Sequence, residues 1–349
     1  MLNISFVLGL AAALFALLGW GIHTLPAEKW QMLAAVPIGK TDDGSWRGLN
    51  LTFYGFFSAT GTTFGLAMML LLLGSLEVPT YLSLVLVIFV LLICVPSSRL
   101  IAGLVERKRN TFTIAGAAFV ATLILPLLVL ALQPLAPRLL HHELSALPIF
   151  AAAAIAYPLG ESIGRLACLS FGCCYGMPLR DAHPAIARLF QKHNLVIHGS
   201  TKKAAYASGL AGEPLIPVQA ITSAVFALSG IVGVALFLAG QFRLAGLIPI
   251  LASWGWRACS ERLRADYRGT SRISAYQVMA IFSALYLSAF VLLTPVTAAT
   301  PDLSAGLGQL ISTPTILILE LFWIALFLYY GRSRVTASRL SFHVVAERI

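Results

Sequence analysis

Residues 146–178 read ALPIFAAAAIAYPLGESIGRLACLSFGCCYGMP. The first part is a run of small and apolar side chains. It ends in a glutamate, an arginine and three cysteines, where a plain membrane helix would continue in Leu and Val. Crossing a ~30 Å hydrocarbon core takes about 20 apolar residues, and runs of that length recur along the whole chain. Of 349 residues, 58% are hydrophobic and 11% charged, whereas a soluble globular protein is roughly 45–50% apolar and 25% charged.

This pattern predicts an all-α, polytopic integral membrane protein of about nine transmembrane helices. The expected spans are 3–22, 50–74, 80–104, 112–133, 146–170, 217–239, 244–260, 274–294 and 313–331. The first lacks the basic leader and small-residue cleavage site of a signal peptide, so it reads as a retained helix. With its following loop it makes an N-terminal addition over 1–48, and 313–331 makes a C-terminal one. The longest hydrophilic interruption, 173–216, is expected to form a small extramembrane head on a single membrane domain.

The net charge of +10 is distributed by face. Lys29, Lys40 and Arg47 follow the first span, Arg107, Lys108 and Arg109 the third, and Arg180, Arg188, Lys192, Lys202 and Lys203 the fifth. Arg257, Arg262, Arg264, Arg268 and Arg272 follow the seventh, and Arg332, Arg334, Arg339 and Arg348 close the chain. Cytoplasmic loops collect Lys and Arg, which puts this face inside. Topology alone accounts for the asymmetry, or topology together with binding of anionic headgroups. A nucleic-acid partner is not expected, and neither a Walker loop, an H-E-x-x-H pair nor a dinucleotide fingerprint is present.

Arg99 and Arg165 fall inside or at the edge of apolar segments. A charge at a helix centre costs about 2.5–3.5 kcal/mol on insertion scales, so it usually faces a partner or a wet cavity. Glu161 and Arg165 stand i, i+4 with the acid first, the favourable order for a pair on one helix face. They are either a structural ion pair or an arrangement in which Glu161 aims the planar fork of Arg165 at a phosphate. The stretch 255–269, GWRACSERLRADYRG, is similar: Arg257 and Glu261 are i, i+4, and Arg264 lies seven on from Arg257, so the three are expected to share one face. Trp254, Trp256 and Tyr267 suit an interfacial belt. Two such groups could wall one cationic pocket.

The five cysteines show no C-x-x-C and no histidine at zinc spacing. Adjacent Cys173 and Cys174 read as small packing residues at a turn marked by Gly172 and Gly176, or as a thiol activated by Arg165. His141-His142-Glu143, His193 and His198 read as solvated loop residues. Neither a metal nor a cofactor is expected.

The ordered set of motifs over about 50–295 resembles the prolipoprotein diacylglyceryl transferase family. GRLACLSFGCCYG is similar to its signature at Gly164, Arg165, Gly172, Tyr175 and Gly176, with Cys168 at the position of the family's Asn. LTFYGFFSATG matches a Tyr-Gly at Tyr54-Gly55, SSRLIAGLVE matches at Arg99, and RACSERLRADYRG with ISAYQVMAIF matches at Arg257, Glu261, Arg264 and Gln277. The family's His-Gly-Gly corresponds here to TFTIAGAAFV, with Thr113 or Ile114 in place of the histidine, and IPVQAIT keeps Pro217 and Gln219. The resemblance implies transfer of diacylglycerol from phosphatidylglycerol to the lipobox cysteine of a prolipoprotein in the bacterial inner membrane. Arg165, Arg257 and Glu261 would be catalytic. Tyr54, Arg99, Glu161, Cys168, Gly176, Arg264 and Gln277 would hold the lipid. The family's catalytic face lies outside the cytoplasm, opposite to the side the charge rule assigns. Two alternatives stay open: a related phospholipid-using enzyme with another acceptor, and a non-catalytic lipid-binding accessory protein.

Overall fold

A computed structural model describes residues 1–106, 114–140, 145–267, 273–296 and 298–349. Residues 107–113, with the basic run after the third expected span and Thr113, lie outside the described residues. So do residues 141–144, with the His-His-Glu run, as well as Arg268, Arg272 and the side chain of Ile114.

In a bilayer every backbone N–H and C=O must be satisfied within the segment, which selects helices. The chain is mostly helical: α1 Leu2–Thr24, α2 Phe53–Gly74, α3 Thr80–Glu106, α4 Ile114–Leu140, α5 Ala146–Phe171, the short α6 Pro184–Phe190 and α7 Lys203–Ser208, then α8 Val218–Leu238, α9 Phe242–Ser260, α10 Ala275–Leu293, α11 Leu303–Leu310 and α12 Thr313–Tyr330. Eight of these are long and apolar enough to cross a membrane: α1 to α5, α8, α10 and α12. The remaining expected span, 244–260, the seventh in order, is helical but falls outside that group; α9 carries Ser253, two tryptophans and Arg257 in its second half. It keeps an exposed apolar face at Leu244, Ile248 and Leu251 and brings Ser253, Trp254 and Arg257 into the bundle.

The all-α expectation also needs correcting. Strands β1 (Met32–Lys40) and β2 (Trp46–Thr52) form an antiparallel hairpin. Within the 173–216 segment, β3 (Leu195–Val196) and β4 (Pro214–Leu215) pair with each other. Near the C-terminus β5 (Ser338–Leu340) adds to the free side of β2. The span expected from residue 50 therefore begins only at Phe53, where Thr52 caps the helix by accepting from the Gly55 N–H.

α5 is the axis of the bundle. Its apolar window is 78% buried, against 6% for α12. α2 lies along it more extensively than any other pair of described elements. The closeness comes from glycine: a Cβ on Gly61 would stand 2.5 Å from the Gly160 carbonyl oxygen, and one on Gly65 would stand 2.9 Å from that of Ala156. Small residues four apart let two backbones meet in this way. α8 and α9 cover the other side of α5, and α3 and α4 pack on each other at the periphery.

The basic loops gather at one end. The Lys202 ammonium donates to the carbonyls of Leu25 (2.7 Å) and Pro26 (2.8 Å) at the end of α1. Thr201 and Gln31 are hydrogen-bonded, Met177 N–H donates to Leu263 O, and the Thr52 N–H donates to Gly331 O. The segment 173–216 is thus stitched to the ends of α1 and α9. At the other end Asp302 N–H reaches Ser75 O and Arg243 reaches Thr294 O.

Candidate functional site

On the inner face of α5, Tyr157, Glu161, Arg165 and Cys168 follow one another at spacings of four, four and three, one stripe of a helix. α9 presents Trp254 and Arg257 to that stripe. Arg165 donates through Nη2 to Glu161 Oε2 at 2.7 Å, the pair expected from the sequence. Arg257 donates through Nη2 to the same oxygen at 3.2 Å and to the Tyr157 hydroxyl at 2.6 Å. Its guanidinium carbon lies 5.7 Å from the centre of the Trp254 ring, which stacks on Tyr157 with centroids 5.9 Å apart. Both arginines are buried, at 8% and 7% exposure.

Two guanidiniums and one carboxylate make a trio of formal charge +1, buried where each uncompensated charge costs several kcal/mol. The Nε–H of Arg165 and that of Arg257 are buried without an acceptor, as is Gln219 Oε1 without a donor. Unpaired buried donors on a net-positive group are what a bound anion would satisfy. These groups, with Cys174, Thr222 and Arg264, line a chamber of about 10 Å3, room for about one water molecule. A phosphate needs more room than this chamber holds.

On the other side of Glu161 the space is apolar and larger. A cavity of about 300 Å3 between α2, α3, α4 and α5 has Glu161 and Tyr157 at its polar end and Leu66, Val87 and Leu91 along its wall. A second, of about 210 Å3, runs toward Ile250, Trp254 and Leu287. The two share Met69, Val90, Ala118 and Tyr157. Tyr157, which accepts from Arg257, lines both apolar cavities, and Glu161 lines the larger one, so the carboxylate of the trio stands between that cavity and the chamber that holds the two arginines.

The expected pair of Arg257 with Glu261 does not form. α9 ends at Ser260, so Glu261 leaves the helical face and meets Arg264 at 3.5 Å and the Ser274 hydroxyl at 3.4 Å. Arg264, in extended backbone, makes a fork-to-fork contact with Asp266 at 2.7 Å through both Nε and Nη2. It reaches the chamber from a strand-like bridge with Gly176, not from the face it was expected to share with Arg257. Gly176 has no room for a side chain, since a Cβ would stand 2.2 Å from Ile216 O. Gln277 caps α10 in a capping box with Ser274 and donates to Ala258 O at 3.1 Å, away from the chamber lining. Tyr54, expected in the lipid cavity, instead packs edge-on against Phe171 at 5.5 Å. Arg99 is exposed between α3 and α12, over the Tyr329 ring and hydrogen-bonded to its hydroxyl, apart from the trio.

The cysteines depart furthest from expectation. The Sγ atoms of Cys168, Cys173 and Cys174 lie within 4.8 Å of one another, and those of Cys168 and Cys174 are 3.8 Å apart. Adjacent cysteines converge here because the chain reverses: Gly172 caps α5 in the left-handed region (φ 69°), and Cys174 also has a positive φ, 57°. Hydrogen bonds from the Cys168 and Cys173 thiols, with Arg264 and Arg165 nearby, hold the Cys174 thiol well below its ordinary range. Tyr157, Gly61, Gly65 and the thiol cluster are not singled out by the sequence reading. The glycines at 61 and 65, facing those at 160 and 164, carry a small-xxx-small signal that could have revealed the α2–α5 contact. No protein-family model matches this chain, and no curated protein matches it.

Proposed function

We propose that this protein is a membrane transferase that takes a two-chain anionic phospholipid, phosphatidylglycerol, and moves its diacylglyceryl group to the cysteine thiol of a prolipoprotein. The observation that supports this reading most is the Arg165–Glu161–Arg257 trio, net positive and with unpaired Nε–H groups, whose carboxylate lines one apolar cavity and whose partner Tyr157 lines two. One compartment suits each acyl chain, and the phosphodiester belongs at the trio. Arginine suits phosphate because its planar fork bonds two oxygens at once.

In the proposed reaction the acceptor sulfur bonds to the glycerol carbon that carries the phosphate ester. That C–O bond breaks, glycerol phosphate departs with the electron pair, and the thiol proton ends on it. Arg165 and Arg257 would stabilise the charge growing on the leaving phosphate, the kind of preorganised electrostatics that supplies much of enzymatic rate enhancement. Arg264, locked to Asp266, holds the chamber wall. The reading carries with it a bacterial inner membrane and a prolipoprotein signal peptide as partner.

The test is turnover in reconstituted vesicles containing phosphatidylglycerol labelled in its headgroup, with a lipobox peptide. Release of labelled glycerol phosphate should require the peptide and vanish in Arg165→Ala and Arg257→Ala. Lipid binding without release, with or without peptide, would favour the non-catalytic alternative. Release to an acceptor other than the peptide would favour the related enzyme.

A further inference from the structure

The three thiols at the end of α5, of which the family resemblance assigns only Cys168 to the lipid, have a mutual geometry that the proposed transfer does not use. For a metal–sulfur bond of about 2.3 Å, ligand sulfurs lie about 3.8–4.0 Å apart in trigonal or tetrahedral arrangements. Cys168 and Cys174 already stand 3.8 Å apart, and Cys173 completes a triangle with every edge within 4.8 Å.

The backbone that carries them is fixed from several sides. Cys173 N–H donates to Cys168 O at 3.1 Å, and Cys173 O accepts from Gln219 Nε2 at 3.0 Å. Gly172 O accepts from Ala204 N–H at 2.9 Å, and Tyr175 O accepts from Ala265 N–H at 3.1 Å. Cys174 keeps a left-handed backbone that a non-glycine residue adopts only where its surroundings over-determine it, a form of strain that clusters at functional sites. Arg165 Nη1 points at Cys168 Sγ from 3.9 Å, the outer-shell hydrogen bond that tunes a thiolate ligand.

We propose that Cys168, Cys173 and Cys174 form a three-thiolate site for a soft monovalent metal ion of the copper(I) type. Thiolates select soft ions. Among the described residues no histidine, carboxylate or fourth cysteine joins the group. Structural zinc takes four protein ligands, whereas a soft monovalent ion accepts three. Arg165 reaches Cys168 Sγ at 3.9 Å, and Arg264 lines the same chamber as Cys174. The ion would pin the reversal at Gly172 and so fix Cys174 in the chamber wall. This site does not depend on the lipid reading, and its test uses no lipid substrate.

The full-length protein, purified anaerobically with reductant into nanodiscs, is titrated with copper(I) held in a chromophoric chelator. One ion per chain should be retained, with three sulfur neighbours in X-ray absorption. Cys168→Ser and Cys174→Ser should each weaken binding at least tenfold, while Cys259→Ser, at an exposed thiol, leaves it unchanged. Undiminished binding in the first two variants, no binding at all, or preference for zinc(II) over copper(I) would overturn the site. So would a Cys168–Cys174 disulfide surviving in the reduced preparation. If the serine variants do not fold, the sulfur count of the wild-type ion decides, and two or four sulfurs reject it.

Discussion

Arg165 on α5 and Arg257 on α9 share a single acceptor, Oε2 of Glu161, at 2.7 and 3.2 Å. Two like charges are held side by side by one carboxylate, and each keeps an Nε–H with no partner. The arrangement is costly alone, and an anion would relieve it.

Removing the carboxylate should expose that cost. Glu161→Gln leaves two buried guanidiniums without counter-charge, a change that costs about 3–5 kcal/mol when one partner of a buried pair is lost. Thermal unfolding in neutral-lipid nanodiscs should register the loss. Phosphatidylglycerol should restore more stability to the variant than to the wild type. Equal restoration in both would argue against phosphate at the trio.

Tyr157→Phe removes only the hydroxyl that accepts from Arg257 at 2.6 Å. A hydrogen bond to a charged group contributes about 1.5–3 kcal/mol. The variant should lose stability in that range and release glycerol phosphate more slowly, with the ring still filling the junction of the cavities. An unchanged rate would detach Tyr157 from the positioning of Arg257.

The close approach of α2 to α5 leaves no space for a side chain at Gly160, where a Cβ would stand 2.8 Å from Gly61 O. Backbone cannot yield as a side chain does. Gly160→Val should therefore cost more than the roughly 1–3 kcal/mol usual for overpacking. Gly9→Val on α1, where nothing lies within 4 Å, should be nearly silent. Melting temperatures of the two variants provide the comparison.

Lys202 offers a pH test. Burial pulls its ammonium down from 10.5 to about 7, against the attraction of Glu28. A neutral amine has two N–H donors for its two carbonyl acceptors, Leu25 and Pro26. The unfolded chain binds the proton more tightly, so stability should rise as pH increases from about 7 to about 10.5, by up to a few kcal/mol. Below about pH 7 both states are protonated and this contribution is flat. Lys202→Met should abolish the rise and lower stability overall, as it leaves two carbonyls at the end of α1 without donors. A wild-type profile that falls over that window would contradict the assignment.

What the sequence discloses depends on the range of the interaction. Hydropathy locates the spans, and the Glu161–Arg165 pair is legible because four residues on one helix fix its geometry. The link from Arg257 to Glu161 is not, because it crosses between helices. Pairing Arg257 with Glu261 requires the helix to continue, and no glycine or proline marks its end at Ser260. The hairpin over 32–52 escapes the hydropathy reading although Asp43-Gly44 signals its turn, with Gly44 at φ 82°. Pro37 within β1 weakens the strand pattern. Cys173 and Cys174 look like mere chain neighbours in the sequence, whereas their convergence on Cys168 depends on the left-handed backbone at Cys174.

The most direct test of the central claim is equilibrium binding of phosphatidylglycerol and of diacylglycerol with the same acyl chains, measured by native mass spectrometry on wild type, Arg165→Ala and Arg257→Ala. The account predicts that the wild type holds phosphatidylglycerol well above diacylglycerol and that each substitution removes most of that preference. Equal binding of the two lipids by the wild type, or an undiminished preference in both variants, would contradict it.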